Sequence, residues 1–302
     1  MISKKNLTVI IVSFFSDEVI FDCISSIDEE IEIIVIENSR NFKLKDELEK
    51  KFKNVKCFIH ENKGMGAGNN FGISKINSDF AFILNPDVIL EKDTIHKIIE
   101  QSKKIDSFSI LTPIHDNIKY PNYKIRSQNL EKESFDLINV DSVDGFSMLL
   151  NLNRISKILN INDSKFFDEN FFMYLENDDL CKRLRDKNEN IYVIKSSKIN
   201  HLGAKGVDSN FQNEVELSRN WHWCWSKFYF KKKHFGILNA LMHESFSAFI
   251  SSIKYLMYLL IFNNFKRKIY LNRVKGFLNS LFLKPSSYRP KIKINDQENQ
   301  LN

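Results

Sequence analysis

Cysteine is scarce and scattered. The four residues Cys23, Cys57, Cys181 and Cys224 form no Cys-x-x-Cys pair, so their spacing offers neither a zinc ribbon nor a disulfide framework, and a reducing compartment is expected. Long uninterrupted apolar runs are missing too. Residues 237–262 are largely apolar, yet His243, Glu244 and Lys254 break them up. A membrane-crossing helix needs about 20 predominantly apolar residues, so a single clean crossing is not expected. The opening residues 1–15 are basic and then apolar, but the apolar run is only strand length and no small-residue cleavage site follows. They read as a first strand and not as a signal peptide. The basic residues come without a nucleic-acid-binding motif, so nucleic acid is not an expected partner.

What the chain has is enough apolar material to fold. At 302 residues, 43% hydrophobic and 27% charged, it suits one large domain, or one domain with an appendage, and not a disordered chain. The net charge of +6 is unevenly placed, with runs such as Lys231-Lys232-Lys233 and Lys266-Arg267-Lys268 beyond residue 226. An acidic surface partner is therefore expected for the C-terminal part more than for the whole.

Residues 7–14 and 31–36 are continuous apolar, β-branched runs, as in parallel strands covered on both faces, with a helical stretch at 17–28 between them. Strand, helix, strand makes a βαβ unit. A helix at 43–53, a strand at 55–59, a glycine-bearing loop at 62–70, a helical stretch at 71–76 and a strand at 80–84 continue the pattern. In open α/β sheets ligands sit beyond the carboxyl ends of strands, and Ser13, Glu37 and Asp87 fall at such ends. A helix at 93–104 follows, then a polar, irregular loop at about 113–139, a strand at 140–150 carrying Asp144-Gly145, and another at 191–194 before His201. Residues 166–185 hold the acidic row Glu176-Asn177-Asp178-Asp179 at a helix start, with Lys182, Arg183 and Arg185 in later turns. Capping by Asn177 and the helix dipole account for that arrangement without any catalysis.

Taken together, Glu37-Asn38-Ser39, the run NKGMGAGNNFGI, Leu84-Asn85-Pro86-Asp87, Asp144-Gly145, the acidic helix start and Asn200-His201 stand in an order that resembles family 2 glycosyltransferases, in particular rhamnosyltransferase-like members that build bacterial surface polysaccharides. The resemblance covers residues 7 to 230. It implies a GT-A (Rossmann-like) α/β fold with a mixed, mostly parallel sheet flanked by helices, a nucleotide-diphosphate sugar donor, a divalent metal and inversion at the anomeric carbon. Asp87 stands where the family's DxD-type metal ligand falls, here reduced to Asn85-Pro86-Asp87, and His201 matches a histidine that often completes the site. An imidazole tilts the metal toward Mn2+ over Mg2+. The donor-binding set implied is Ser13, Glu37, Asn38, Lys63, Gly64, Gly66, Asn69, Asn70, Asn85, Asp144 and Gly145. Glycines permit close backbone approach to phosphates, and Glu37 takes a nucleoside-contacting position more often held by Asp.

In the resembling family the catalytic base lies in a Glu-Asp-x-Asp run. Here the second position is Asn177, an amide that accepts no proton at neutral pH, so Glu176 is the expected base, with Asp179 orienting it and Asp178 the weaker substitute. An ordinary carboxylate pKa near 4 would leave Glu176 ionised at neutral pH. Residues 231–290 are expected to form a basic, apolar helical region lying on a membrane, and 291–302 a tail. A soluble helical subdomain or homodimer interface is the alternative for that region. These expectations describe a peripheral enzyme on the cytoplasmic face of a bacterial membrane, extending a polyprenyl-linked or surface saccharide. The competing readings are a nucleotide-sugar-binding protein without catalysis and a soluble transferase acting on a protein or small molecule.

Overall fold

The structure is a computed structural model and describes residues 1–115, 117, 119–125, 136–203 and 206–290. The tail expected over 291–302 and residues 126–135 of the expected loop lie outside the described residues. The chain divides into two units, one ending at Asp208 and one beginning at Ser209.

The first unit is built on a mixed nine-stranded sheet. Strand β1 (Leu7–Ser13) is buried along its whole length, and β2 (Glu32–Glu37), β1 and β4 (Phe80–Leu84) run parallel, with β3 (Val55–Ile59) parallel beyond β2. The crossovers are α1 (Ile20–Ser25), α2 (Phe42–Lys51) and α3 (Met65–Ile73). The cap of α2 is Asn41, whose side chain accepts from Leu44 N. On the far side of β4 the order is β10 (Ser147–Asn151), β6 (Ile110–His115), β11 (Ile191–His201) and β5 (Val88–Leu90), while β8 (Leu137–Asn139) also pairs with β11. A separate two-stranded ribbon joins β7 (Tyr123–Lys124) to β9 (Ser142–Val143). Since β10 is antiparallel to both β4 and β6, and β11 is parallel to β6, strands β1, β2, β4 and β11 all end on the same edge.

Period-two alternation sorts the strand residues to two faces. Val9, Ile11, Ile33 and Val35 pack with Ile20, Leu44, Leu48 and Ile98 of α1, α2 and α4 (Thr94–Ser102). Ile10, Val12, Ile34 and Ile36 pack with Ile73 of α3, with Leu152 and Ile155 of α5 (Leu152–Leu159), and with Leu180 and Leu184 of α6 (Glu176–Arg185). Both faces are covered, which explains why these strands read as continuous apolar runs.

Three expectations need correction. The glycine run is not a loop but the body of α3, because Gly68 and Gly72 seat the helix on β1. A Cβ at Gly68 would lie 2.9 Å from Val12 Cγ1, and one at Gly72 2.5 Å from Ile10 Cγ2. Close packing thus overrides the poor helix propensity of glycine. The single strand expected over 140–150 is two, β9 and β10, parted by the turn Asp144-Gly145-Phe146. The strand expected at 191–194 continues to His201, past an irregularity between Ile194 and Lys198.

The second unit is helical: α7 (Gln212–Phe235), α8 (Ile237–Leu260) and α9 (Asn264–Leu281). Composition suggests a boundary at 230, but Gln212–Phe235 is one continuous helix, so the division falls ahead of it. Gly236, at φ 86°, reverses the chain, and Glu244 of α8 pairs with Lys227 (2.8 Å) and Lys231 (2.6 Å) of α7. A Cβ at Gly276 would lie 2.1 Å from Trp221 O, so α9 and α7 touch backbone to backbone. His222 is buried between Ser286 Oγ and Tyr288 O, each 2.9 Å away, and burial pushes its pKa down to about 3. It acts as a neutral hydrogen-bonding core residue. Among the described residues no helix is long and apolar enough to cross a membrane.

Candidate active site

The shared sheet edge collects most of the expected site. Ser13 and Glu37 face each other across the β1–β2 register, Asp87 occupies the turn between β4 and β5, Asp144 precedes β10, and His201 closes β11. This is the edge where open α/β sheets take ligands.

Asp87 and His201 meet there. Asp87 Oδ1 lies 3.3 Å from His201 Nε2, and the pair is fixed by the β11–β5 register, which sets His201 opposite Val88, and by Leu202 N donating to Asp87 O (3.0 Å). Phe146 stacks on the His201 ring with centroids 4.0 Å apart, and His115 stands edge-on to His201 at 6.2 Å. Gly206 covers Asp87 so closely that a Cβ there would sit 3.4 Å from its carboxylate. Among the described residues no group of three or more His, Cys, Asp or Glu gathers tightly enough to hold a metal ion. One carboxylate and one imidazole, both with lone pairs for a cation, fit a divalent metal.

The β1–β2 end is more closed than the motif suggests. Glu37 is fully buried, and its Oε1 accepts from Ser39 N at 2.6 Å and from the Ser39 hydroxyl. Burial raises its pKa, opposed by the hydrogen bonds from Ser39. Asn38 is buried as well, its Oδ1 3.3 Å from His60 Nδ1. Glu37 thus commits Oε1 to the β1–β2 end, and its Oε2 is buried without a hydrogen-bond partner. Lys63 points outward and pairs with Glu61 at 3.4 Å, so it stays apart from this group. The Asn85 backbone joins the edge, its N–H donating to Phe146 O (3.0 Å).

Gly64, Gly66 and Asn70 serve the acidic segment. Asn70 clasps the Phe167 backbone, accepting from its N–H (2.9 Å) and donating to its carbonyl (2.8 Å). Met65 N donates to Phe172 O (3.1 Å). Gly64 has φ +103°, and a Cβ there would meet Phe172 O at 2.3 Å, while one at Gly66 would be 3.2 Å from Phe167 Cβ and 3.6 Å from Glu176 Cβ. At Gly64 and Gly66 the close approach that glycine permits is made by residues 167–176. Gly64→Ala combines a disfavoured backbone with a backbone clash and is expected to cost about 3 kcal/mol, read as a lower denaturant midpoint. Asn69 is buried nearby with an unpartnered Oδ1.

Tyr174 and Leu175 both take left-handed conformations, φ 71° and 69°, just before α6. That turn, rare for such bulky residues, makes Glu176 the first helical residue and leaves Asn177 inside the helix. Asn177 is consequently not the cap. Its Nδ2 donates to Val143 O (2.7 Å), and Gly145 packs on it, with a Cβ there falling 3.3 Å from Asn177 Cβ. An amide can make this bond and a carboxylate cannot, which gives a physical reason for Asn at this position. Asn177→Asp is expected to lose about 1–3 kcal/mol, measured by denaturant unfolding at neutral pH.

The three acids of α6 have different surroundings. Asp179 is fully buried and accepts from Arg183 Nε (2.9 Å), while Arg183 Nη2 donates to Phe166 O (2.5 Å); this anchors the aromatic segment. Asp178 pairs with Lys124 at 2.8 Å. Glu176 carries a buried Oε2 without a hydrogen-bond partner, and burial, reinforced by the Asp178 charge, pushes its pKa up to about 7 in spite of a backbone hydrogen bond. The ordinary value near 4 expected from sequence does not hold, since desolvation penalises the charged form. Asp144 links the two groups: burial raises its pKa, the Asp178 charge adds to that, and Lys124, His201 and His115 oppose it.

Lys124, His115 and Phe146 are absent from the sequence-derived set. His115 and Lys124 come from the irregular stretch, where no period marks them, and only Phe146, next to Asp144-Gly145, carries a positional signal.

Comparison with known proteins agrees with this geometry. The family description "Glycosyl transferase family 2" matches residues 8–172, more than half of the chain, ending just before the acidic row. The low-salt glycan biosynthesis hexosyltransferase Agl10 of Haloferax volcanii is 28% identical over 212 residues, 62% of this chain and 64% of that protein, so the chain spans under two thirds of this relative's length. Among solved structures, the mannosyltransferase PcManGT from Pyrobaculum calidifontis in complex with GDP-Man and Mn2+ superposes with a TM-score of 0.54 at 9% identity, over 92% of this chain and 88% of that one. S. aureus TarS 1-349 in complex with UDP-GlcNAc gives 0.51 at 14% identity, over 94% and 93%. These likenesses show a GT-A-type fold, and the family match shows that the chain belongs to glycosyl transferase family 2.

Proposed function

We propose that the protein transfers a hexosyl or deoxyhexosyl group from a nucleotide-diphosphate sugar to a hydroxyl of a saccharide acceptor, with inversion at the anomeric carbon. The observation that carries this reading is a half-buried carboxylate, Glu176, held near neutral pKa, in a fold whose ligand-binding sheet edge also holds the Asp87–His201 pair. A general base works best when its pKa lies near the operating pH. Glu176 takes the proton of the acceptor hydroxyl as the acceptor oxygen bonds to the anomeric carbon and the bond to the diphosphate breaks on the opposite face. Asp87 and His201 would hold a divalent cation, Mn2+ favoured by the imidazole, which when bound neutralises charge on the departing diphosphate. Asp144, largely desolvated and within electrostatic reach of Asp178 and His201, is suited to accept hydrogen bonds from sugar hydroxyls.

The named ligands of the similar structures, GDP-Man with Mn2+ and UDP-GlcNAc, support a nucleotide-sugar donor and a metal. The motif resemblance favours rhamnose as the sugar and a polyprenyl-linked or surface-polysaccharide acceptor, at the cytoplasmic face of a membrane. The test is thermal shift with UDP-, GDP- and dTDP-sugars, with and without Mn2+, since ligand binding to the native state raises its stability by mass action. A Mn2+-dependent rise with at least one donor is expected; no shift with any donor would sink the proposal. The commitment of Asn177 to Val143 and of Asp178 to Lys124 also favours a second reading, a nucleotide-sugar-binding protein without catalysis. Release of nucleoside diphosphate by the wild-type protein decides against it.

A further inference from the structure

The helical unit presents one face that its own packing leaves uncovered. Along α8, Leu238, Met242, Phe246, Phe249, Ile253 and Leu256 recur every three or four residues and are between 47% and 79% exposed. The stripe is continuous over most of a helix about 36 Å long, and Phe262, 88% exposed, extends it beyond the C-terminal end. The opposite face of α8 is where Ala240 and Glu244 are buried. Exposed apolar surface on this scale marks an interaction site.

Charge identifies the occupant. Residues 209–290 contain thirteen Lys and Arg against three Asp and Glu, although the whole chain is only +6. Of the three acids, Glu244 is buried on Lys227 and Lys231, and Glu214 and Glu216 lie in the first turns of α7. The exposed face of α8 carries no acid. The helix hairpins at Gly236 and at residues 261–263, the latter shown by Tyr258 stacking on Tyr270, bring cations to both ends of the stripe. Lys232 and Lys233 precede its start, beyond Lys231, which turns to Glu244, and Lys266, Arg267 and Lys268 follow its end. A second copy docked on this face, in either direction, would set cation against cation. An anionic lipid surface satisfies both ends together with the stripe between them.

We infer that α8 lies in the plane of an anionic membrane surface, its apolar stripe among the acyl chains and the two basic clusters on the headgroups. The inference goes beyond the transfer chemistry and stands without it. The full-length protein is mixed with phosphatidylcholine vesicles, with or without phosphatidylglycerol, and floated through a density gradient. Flotation with the phosphatidylglycerol vesicles is expected, reduced by about tenfold in Phe246→Gln/Phe249→Gln and clearly weakened in Lys266→Gln/Arg267→Gln/Lys268→Gln and at high salt. All substituted side chains are solvent-facing or only partly buried, and circular dichroism checks that the variants fold. The inference is overturned if the wild type does not float with either vesicle, if the variants float as well as the wild type, or if sedimentation shows a dimer that Phe246→Gln/Phe249→Gln dissociates. Nucleoside diphosphate release without vesicles, unchanged in these variants, keeps a failure here separate from a failure of the transferase reading.

Discussion

Glu176→Gln is expected to lower turnover by about a thousandfold while donor binding survives, because removal of a positioned general base costs on the order of 10²–10⁴ in rate and leaves the nucleotide contacts in place. The same substitution should stabilise the protein at alkaline pH. A carboxylate with a folded pKa of about 7 against an ordinary 4.5 holds more protons folded than unfolded between those values. Its contribution to stability is therefore full below about pH 4.5 and is lost as pH rises through 7. Above pH 7 the amide variant escapes a penalty of about 3 kcal/mol, read as a higher melting temperature than the wild type, with the difference vanishing at low pH. Lower activity with higher stability is the signature of a residue kept for chemistry. A merely structural Glu176 would lose both.

The second large effect is expected at the Asp87–His201 pair. Asp87→Asn removes the charge that a cation requires there, and the Mn2+-dependent part of donor binding should fall by about a hundredfold or more, several kcal/mol being typical for a metal on phosphate oxygens. His201→Ala removes the other ligand and the ring on which Phe146 stacks. Titration calorimetry with GDP-mannose or UDP-N-acetylglucosamine, with and without Mn2+, separates metal-linked from metal-independent binding. Equal donor affinity of Asp87→Asn and wild type in Mn2+ would remove Asp87 from the metal site.

The parallel half of the sheet is legible in the sequence because strands covered on both faces must be apolar throughout, as in Leu7–Ser13 and Phe80–Leu84. The positions of Ser13 and Asp87 are legible for the same reason, since β1 and β4 end where expected, whereas the strand expected at 191–194 stops well short of His201, which closes β11. The insertion of β10 between β4 and β6 is not, since its pairing is non-local and nothing in residues 147–151 names the partner. The glycine run misleads because its helix is stabilised by contact with Val12, Ile10 and Phe167, and propensity alone argues against it. Asn177 looks like a cap in sequence, but the left-handed turn at Tyr174 and Leu175, two residues with no preference for it, moves the helix start two positions earlier. That shift separates the acids and the amide: Asn177 goes to Val143, Asp179 to Arg183, and Glu176 to a site where its carboxylate is desolvated. Burial of Glu37 is likewise invisible, because the residue that ties it down, Ser39, looks in sequence like an ordinary turn serine.

The most direct test of the central claim, that Glu176 is the base, is the pH dependence of nucleoside diphosphate release at saturating donor and Mn2+, for wild type, Glu176→Gln and Glu176→Gln/Asn177→Asp. The wild type should rise with pH to a plateau along a limb centred at about pH 7. Glu176→Gln should lose that limb with its activity, and the carboxylate added at position 177 in the double variant should not restore it. A wild-type limb at about pH 4 to 5, the ordinary carboxylate range, or recovery in the double variant, would contradict the assignment.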